Sequence, residues 1–131
     1  MTTEEKSAVS EQFNDMRTAT IRVFDSGATR SAQADKPEYA GYLSPQVIQA
    51  FGRYMFKHQL QADGTLRESR NWQKGIPLES YMQSMFRHFV EVWTLHEQRT
   101  EADNHDAMME ALMALMFNVQ GYAHEYMKGG E

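Results

Sequence analysis

Apolar positions recur with a helical period in three separate stretches of the chain. These stretches cover residues 45 to about 58, 78 to about 96, and about 104 to 128, with apolar residues three and four positions apart. Ser44 precedes the first stretch as a suitable N-cap, and Gly129 follows the third as a suitable stop. The pattern therefore predicts a bundle of three main helices.

Long polar segments separate these helices. Residues 25–43 contain the breakers Gly27, Pro37 and Gly41 and are expected to form an extended loop. Residues 59–70 are expected to form a polar turn that includes Asp63-Gly64, and the loop 71–77 follows, with Pro77 expected in the first turn of the next helix. Residues 1–24 are expected to form an N-terminal arm or a short helix. We therefore predict a mainly α fold, a small helical bundle with long polar loops, whose single domain covers residues 25–131.

Composition limits the class of protein and its partners. The 131 residues carry a net charge of −5 and no cysteine, which excludes disulfides and thiolate metal sites. The acidic balance argues against a nucleic-acid polymer as partner. No apolar run is long enough for a membrane span, and the N-terminus lacks the apolar core of a signal peptide. We expect a cytoplasmic protein without a membrane partner.

The second helix carries a broad apolar stripe and a polar side. The polar side contains Ser84, Arg87, His88 and Glu91, of which Ser84, His88 and Glu91 share one face. In one interpretation, His88 and Glu91 both point at one ion or one bound molecule. In the other, the face is a solvated stripe with an ion pair between Arg87 and Glu91, and the pattern leaves both open. The stripe expected to be buried comprises Tyr81, Met82, Met85, Phe86, Phe89, Val90 and Trp93.

Two polar residues interrupt the apolar face of the third helix. Glu110 shares a stripe with Ala114 and Phe117, so we expect it to enter the interior, where a carboxylate needs a partner or a metal ion. Asn118 is either a core amide that ties helices together or part of a site. Glu125, seven residues further on, is expected to be a surface charge.

Four motifs along the chain occur in a recognisable order. They are Gly27-Ala28-Thr29-Arg30 with Lys36-Pro37, the loop Asn71-Trp72-Gln73-Lys74-Gly75-Ile76-Pro77, the pair Arg87-His88, and an acidic residue eight positions before Asn118. Together they resemble a family of small phage and bacterial dATP/dGTP diphosphohydrolase-like proteins, which is placed beside the all-α MazG-like nucleoside triphosphate pyrophosphohydrolases.

The resemblance implies Mg²⁺-dependent hydrolysis of a deoxynucleoside triphosphate to monophosphate and pyrophosphate. It implies catalytic and metal-binding roles for His88, Glu91 and Glu110. The substrate-binding residues that it implies are Gly27, Arg30, Lys36, Asn71, Trp72, Lys74, Arg87 and Asn118.

Two other functions remain open at this point. The paired acidic motifs of the MazG-like enzymes are absent, which favours a phage protein that binds or sequesters a nucleotide or a nucleotide-derived signal without cleaving it. A helical interaction module is the third possibility. We also expect a homo-oligomer, because the helices carry abundant apolar surface on Met82, Met85, Met108, Met109, Met113, Met116 and Met127.

Overall fold

The protein is described by a computed structural model that covers residues 21–31, 36–100 and 103–130. These residues belong to two units that divide after Tyr42. The expected arm or short helix at residues 1–24 lies mostly outside the described residues. The fold is mainly helical with one small sheet, which agrees with the predicted class.

The N-terminal unit contains a β-hairpin of strands β1 (Ile21–Val23) and β2 (Thr29–Ser31), paired antiparallel with Arg22 opposite Arg30. The Phe24 N–H donates to the Ala28 carbonyl at 2.8 Å, and Gly27 turns the chain with a φ of 88°. Residues 29–31 were expected to belong to a loop, and this was wrong. A strand of three residues is too short for its sequence to reveal, because its partner supplies the pairing.

The helical unit begins with helix α1 (Pro45–Lys57). Ser44 caps it as predicted, since the Ser44 side chain accepts a hydrogen bond from the Val47 N–H at 3.3 Å. Pro45 occupies the first helical turn, where its missing N–H leaves no bond unmade. No residue of α1 is fully buried, so this helix lies on the surface of the unit.

The polar segment after α1 contains a tight turn and a short 3₁₀ helix (Asn71–Lys74). The turn at Asp63 and Gly64 matches the prediction: the Asp63 carboxylate accepts from the Thr65 N–H at 3.0 Å, and Gly64 has a φ of 86°. Pro77 caps the next helix instead of occupying its first turn.

Helices α2 (Leu78–Glu97) and α3 (His105–Met127) form an antiparallel pair, and α1 packs on α3. Their centre is Tyr81, only 1% exposed, whose ring lies 6.1 Å from that of Phe117. Small residues of α3, Ala111 and Ala114, are buried in the same core. Among the helices of the described segments, none is long and apolar enough to cross a membrane.

The apolar stripe predicted for α2 is largely on the outside, which corrects the prediction. Phe86, Phe89, Val90 and Trp93 are between 52% and 65% exposed and form what we call the outer α2 face. Tyr81, Ser84 and His88 instead lie on the partly or fully buried side. Close packing of Tyr81 against Gly121 fixes the rotation of α2 about its axis. Helix α3 therefore covers only one side of the stripe, and the rest stays exposed.

Candidate functional site

Glu110 joins α3 to the end of α1. His58 Nε2 lies 2.6 Å from the Glu110 Oε1 atom, and Lys57 Nζ lies 3.4 Å from both carboxylate oxygens. His58 is also the C-cap of α1, and its backbone N–H donates to the Tyr54 carbonyl at 3.2 Å. The hydrogen bond from His58, with a further contribution from the Lys57 charge, lowers the pKa of Glu110.

The pairing expected for Glu110 is confirmed, but its expected burial is not. The Glu110 side chain is 41% exposed, because the carboxylate lies at the rim between α1 and α3. An ion pair that remains in contact with water contributes little to stability.

Tyr54 indicates that Glu91 lies in the same region. Burial raises the pKa of Tyr54, and the negative charges of Glu110 and Glu91 raise it further. The register of α2 and α3 agrees: Tyr81 faces Phe117 and Gly121, so a position ten residues later on α2 is level with residues 107–111 of α3. Glu91 and Glu110 therefore lie at one end of the helix pair.

His88 belongs to the same end of the bundle. Its Nδ1 atom lies 3.6 Å from the Glu91 carboxylate and is buried without a hydrogen-bond partner among the described residues. Arg87 donates to the Ser84 hydroxyl at 2.9 Å, so the alternative of an Arg87 to Glu91 pair is not formed here. We call Tyr54, His58, His88, Glu91 and Glu110 the Glu110 cluster.

The Glu110 cluster offers carboxylates but no assembled metal centre. Within residues 21–31, 36–100 and 103–130, no group of three or more His, Asp or Glu side chains is placed to hold a metal ion. Mg²⁺ seldom needs a group of three protein ligands, because it usually binds one or two carboxylates and keeps waters and substrate phosphates as its other ligands. Glu91 and Glu110 fit that limited donor set.

A cavity of about 680 Å³, which we call the Trp72 cavity, lies between α1, the 3₁₀ helix and α3. Trp72 packs its ring against the His124 ring at 4.7 Å, edge to face. Aromatic and apolar side chains supply most of the wall surface, and polar side chains, including the charged Arg67 and Glu68, supply the rest. The lining includes Phe51, Met55, Phe56, His58, Asn71, Trp72, Ile76, Phe117, Gln120 and Gly121.

His58 connects the two features. It lines the Trp72 cavity, and the same side chain bonds Glu110 at 2.6 Å. Ten residues of α3 separate Glu110 from Gln120 in the cavity wall, which corresponds to about 15 Å of helix. One elongated ligand could therefore contact the cavity and the carboxylate together.

Asn118 does not reach the Glu110 cluster. It is 7% exposed, and its side-chain amide donates to the Ala114 carbonyl of the same helix at 2.8 Å. Eight residues separate it from Glu110, which places it about 12 Å further along the helix. Its bond within α3 also differs from the expected role of tying two helices together. Glu125 is likewise buried, at 6% exposure, where a surface charge was expected.

Two predicted substrate residues of the helical unit, Lys74 and Arg87, do not line the Trp72 cavity, although Lys74 contacts its wall residue Glu68. Lys74 is exposed and pairs with Glu68 at 3.6 Å, and Arg87 is exposed and bonds only Ser84 among the described residues. Gly27, Arg30 and Lys36 belong to the N-terminal unit, with Gly27 in the hairpin turn and Arg30 exposed on β2. Lys36 is exposed on the segment before α1.

Sequence reasoning underrated His58, Lys57 and His124. His58 is the C-cap residue of α1, and its side chain also bonds Glu110, 52 residues later. The Tyr54 and His58 spacing of four was the available signal, and their ring centroids do lie 4.4 Å apart, with the ring planes tilted by 46°. No sequence pattern pairs His124 with Trp72.

Comparison with known proteins identifies no relative of this chain. No protein-family model, no curated protein and no solved structure matches the chain. The resemblance stated from the four motifs therefore stays a prediction. Any function must be argued from the contacts of the chain itself.

Proposed function

We propose that the helical unit binds a deoxynucleoside triphosphate with Mg²⁺ and hydrolyses it to the monophosphate and pyrophosphate. The observation that carries the proposal is the double role of His58, which lines the Trp72 cavity and bonds Glu110. A cavity whose wall surface is mostly apolar and partly aromatic suits a base, and a carboxylate cluster at its edge suits the metal-bound phosphates. The motif resemblance points to the same chemistry.

The base would lie in the Trp72 cavity. Trp72 offers a ring face or edge, and the amides of Asn71 and Gln120 offer both donors and acceptors for the edge of a base. His124 holds the Trp72 ring from outside the cavity, which fixes its orientation at little entropic cost. Loss of a stacking aromatic typically costs about 1–3 kcal/mol of binding free energy per base.

Hydrolysis would occur beside Glu110. The oxygen of a water molecule bonds to the α-phosphorus, the bond from that phosphorus to the bridging oxygen breaks, and pyrophosphate leaves with the electron pair. The water proton passes to the Glu110 carboxylate, and the 2.6 Å contact connects it with His58. Mg²⁺, when bound with the substrate, would neutralise charge that develops on the phosphate oxygens.

Pyrophosphate release from each deoxynucleoside triphosphate with Mg²⁺ tests this function. We expect turnover by the wild type, a loss of roughly 10²-fold or more for Glu110→Gln, and weaker binding without a comparable fall in kcat for Trp72→Ala. Glu97→Gln, an exposed carboxylate in the last turn of α2, is the matched control. If Glu110→Gln keeps wild-type turnover, the assignment is wrong.

Nucleotide binding without hydrolysis is the second candidate. It is favoured by the absence from the sequence of the paired acidic motifs of the MazG-like enzymes. In that case a nucleotide or nucleotide-derived signal raises the melting temperature of the wild type, since a ligand selective for the native state stabilises it. Trp72→Ala would then reduce the shift, and no pyrophosphate would appear.

We also propose that two copies associate through the outer α2 face. Its three aromatic side chains and Val90 leave roughly 400 Å² of apolar surface exposed per copy, about half of what one partner buries in a standard interface.

A further inference from the structure

A second cavity, of about 620 Å³, lies between α1 and α3 beside Glu110. We call it the α1–α3 cavity. Helix α1 supplies Arg53 and Lys57 to its wall, and α3 supplies His105, Asp106 and Glu110. The two cavities lie on either side of the contact between His58 and Glu110, because His58 lines the Trp72 cavity and Glu110 lines this one.

Both signs of charge line the α1–α3 cavity in a regular arrangement. Arg53 and Lys57 are four residues apart on α1, so they project from one side of that helix. Asp106 and Glu110 are likewise four residues apart on α3. Lys57 already neighbours Glu110 at 3.4 Å, whereas Arg53 forms no ion pair within the described part of the chain.

This arrangement favours one class of ligand over a simple anion. A bare phosphate anion would be attracted by Arg53 and Lys57 but repelled by Asp106 and Glu110. A polyphosphate that carries a divalent cation presents both signs, so it can pair its oxygens with the cations and its metal with the carboxylates. Arginine suits such contacts because its planar fork binds two phosphate oxygens together.

We propose that the α1–α3 cavity receives the pyrophosphate portion of the substrate as its Mg²⁺ complex, with Arg53 and Lys57 as the phosphate-binding side chains. The inference rests on the proposed function, since cleavage beside Glu110 would leave the monophosphate in the Trp72 cavity and pyrophosphate here. It assigns the phosphates to residues that the motifs did not single out. Neither Lys74 nor Arg87 lines this cavity.

Calorimetric titration with inorganic pyrophosphate, with and without Mg²⁺, tests the inference on the whole chain. The wild type should bind more tightly with Mg²⁺. Arg53→Gln should weaken the Mg²⁺-dependent binding about tenfold or more, and Arg53→Lys should weaken it less. Arg22→Gln, which removes the same charge from the β-hairpin, should leave the affinity unchanged.

Asp106→Asn distinguishes a metal-complexed ligand from a bare anion. Removing this negative charge should strengthen pyrophosphate binding in the absence of metal and reduce the gain that Mg²⁺ provides. Arg53 and Asp106 are both exposed, so their variants should keep the melting temperature of the wild type, which the same samples can verify.

The outcomes separate the inference from the proposed function. Turnover of a deoxynucleoside triphosphate by Arg53→Gln with wild-type KM, together with unchanged pyrophosphate affinity, would overturn the inference and leave the function standing. Arg53-dependent pyrophosphate binding without any nucleotide binding would support the inference and remove the function. Wild-type protein that binds no pyrophosphate at millimolar Mg²⁺ also overturns it.

Discussion

Replacing Gly121 with alanine tests the closest approach of α2 and α3. A Cβ atom at position 121 would lie 2.6 Å from the Tyr81 hydroxyl oxygen and closer still to two carbons of the ring. Tyr81 is 1% exposed, so its ring has no free space into which it can move. The alanine can be accommodated only if α2 shifts away from α3.

The expected cost follows from two opposing effects. Overpacking a well-filled core typically destabilises a protein by about 1–3 kcal/mol, and a shift of α2 would also loosen the contact between Tyr81 and Phe117. Alanine has the higher helix propensity, which returns up to about 1 kcal/mol. We expect Gly121→Ala to lower the free energy of unfolding by about 2 kcal/mol.

Urea unfolding followed by circular dichroism measures this loss. Gly52→Ala is the matched control, because Gly52 is also inside a helix and its added Cβ would have no neighbour within 4 Å. That variant should gain up to about 1 kcal/mol.

The same substitution in a Tyr81→Leu background identifies the cause of the lost stability. In Tyr81→Leu, which lacks the ring atoms that clash, adding Gly121→Ala should cost much less than in the wild type. If Gly121→Ala proves as stabilising as Gly52→Ala, the close packing described for α2 and α3 is refuted.

Three further predictions follow from single contacts. Tyr81→Phe should leave stability unchanged or raise it, because the buried Tyr81 hydroxyl has no hydrogen-bond partner among the described residues; a loss above about 1 kcal/mol in urea unfolding would contradict this. The pKa of Glu110 is lowered in the folded protein, mainly by the His58 hydrogen bond, so its stabilisation is present above the ordinary glutamate pKa and lost as pH falls through the lowered value. The stability difference between wild type and Glu110→Gln should therefore shrink on acidification, and a constant difference would exclude this linkage. Phe89→Glu places a charge in the outer α2 face and should convert a dimer to a monomer in light scattering, whereas a monomeric wild type would remove the proposed interface.

Sequence patterns predicted those features whose causes are local. Ser44 and Pro45 mark the start of α1 because the cap and the fixed φ act within one helical turn. Gly64 and Gly129 mark a turn and a helix end because both adopt a positive φ that suits glycine. Each of these signals needs no information from elsewhere in the chain.

Features that depend on a distant partner were predicted less well. The apolar stripe of α2 was identified, yet which part of it is buried depends on Gly121 and on the ring of Tyr81. Glu125 was taken for a surface charge, but it is buried near the end of α3. The pKa of the Tyr81 phenol is raised by its own burial and, to a smaller extent, by the charge of Glu125. Periodicity identifies a face; it does not tell which neighbour will cover it.

The candidate site depends on where α1 lies, and α1 is the most weakly buried of the three helices. Both cavities have α1 in one wall and α3 in another. Since no α1 residue is fully buried, apolar burial alone holds the helix loosely, and the contacts of Lys57 and His58 with Glu110 add polar restraint at its end. The motifs predicted Glu110 as a site residue but placed its partners, His88 and Glu91, on α2, where they lie at the same end of the bundle. A carboxylate chosen from the pattern of α3 thus acquires its chemistry from a helix that carries none of the motifs.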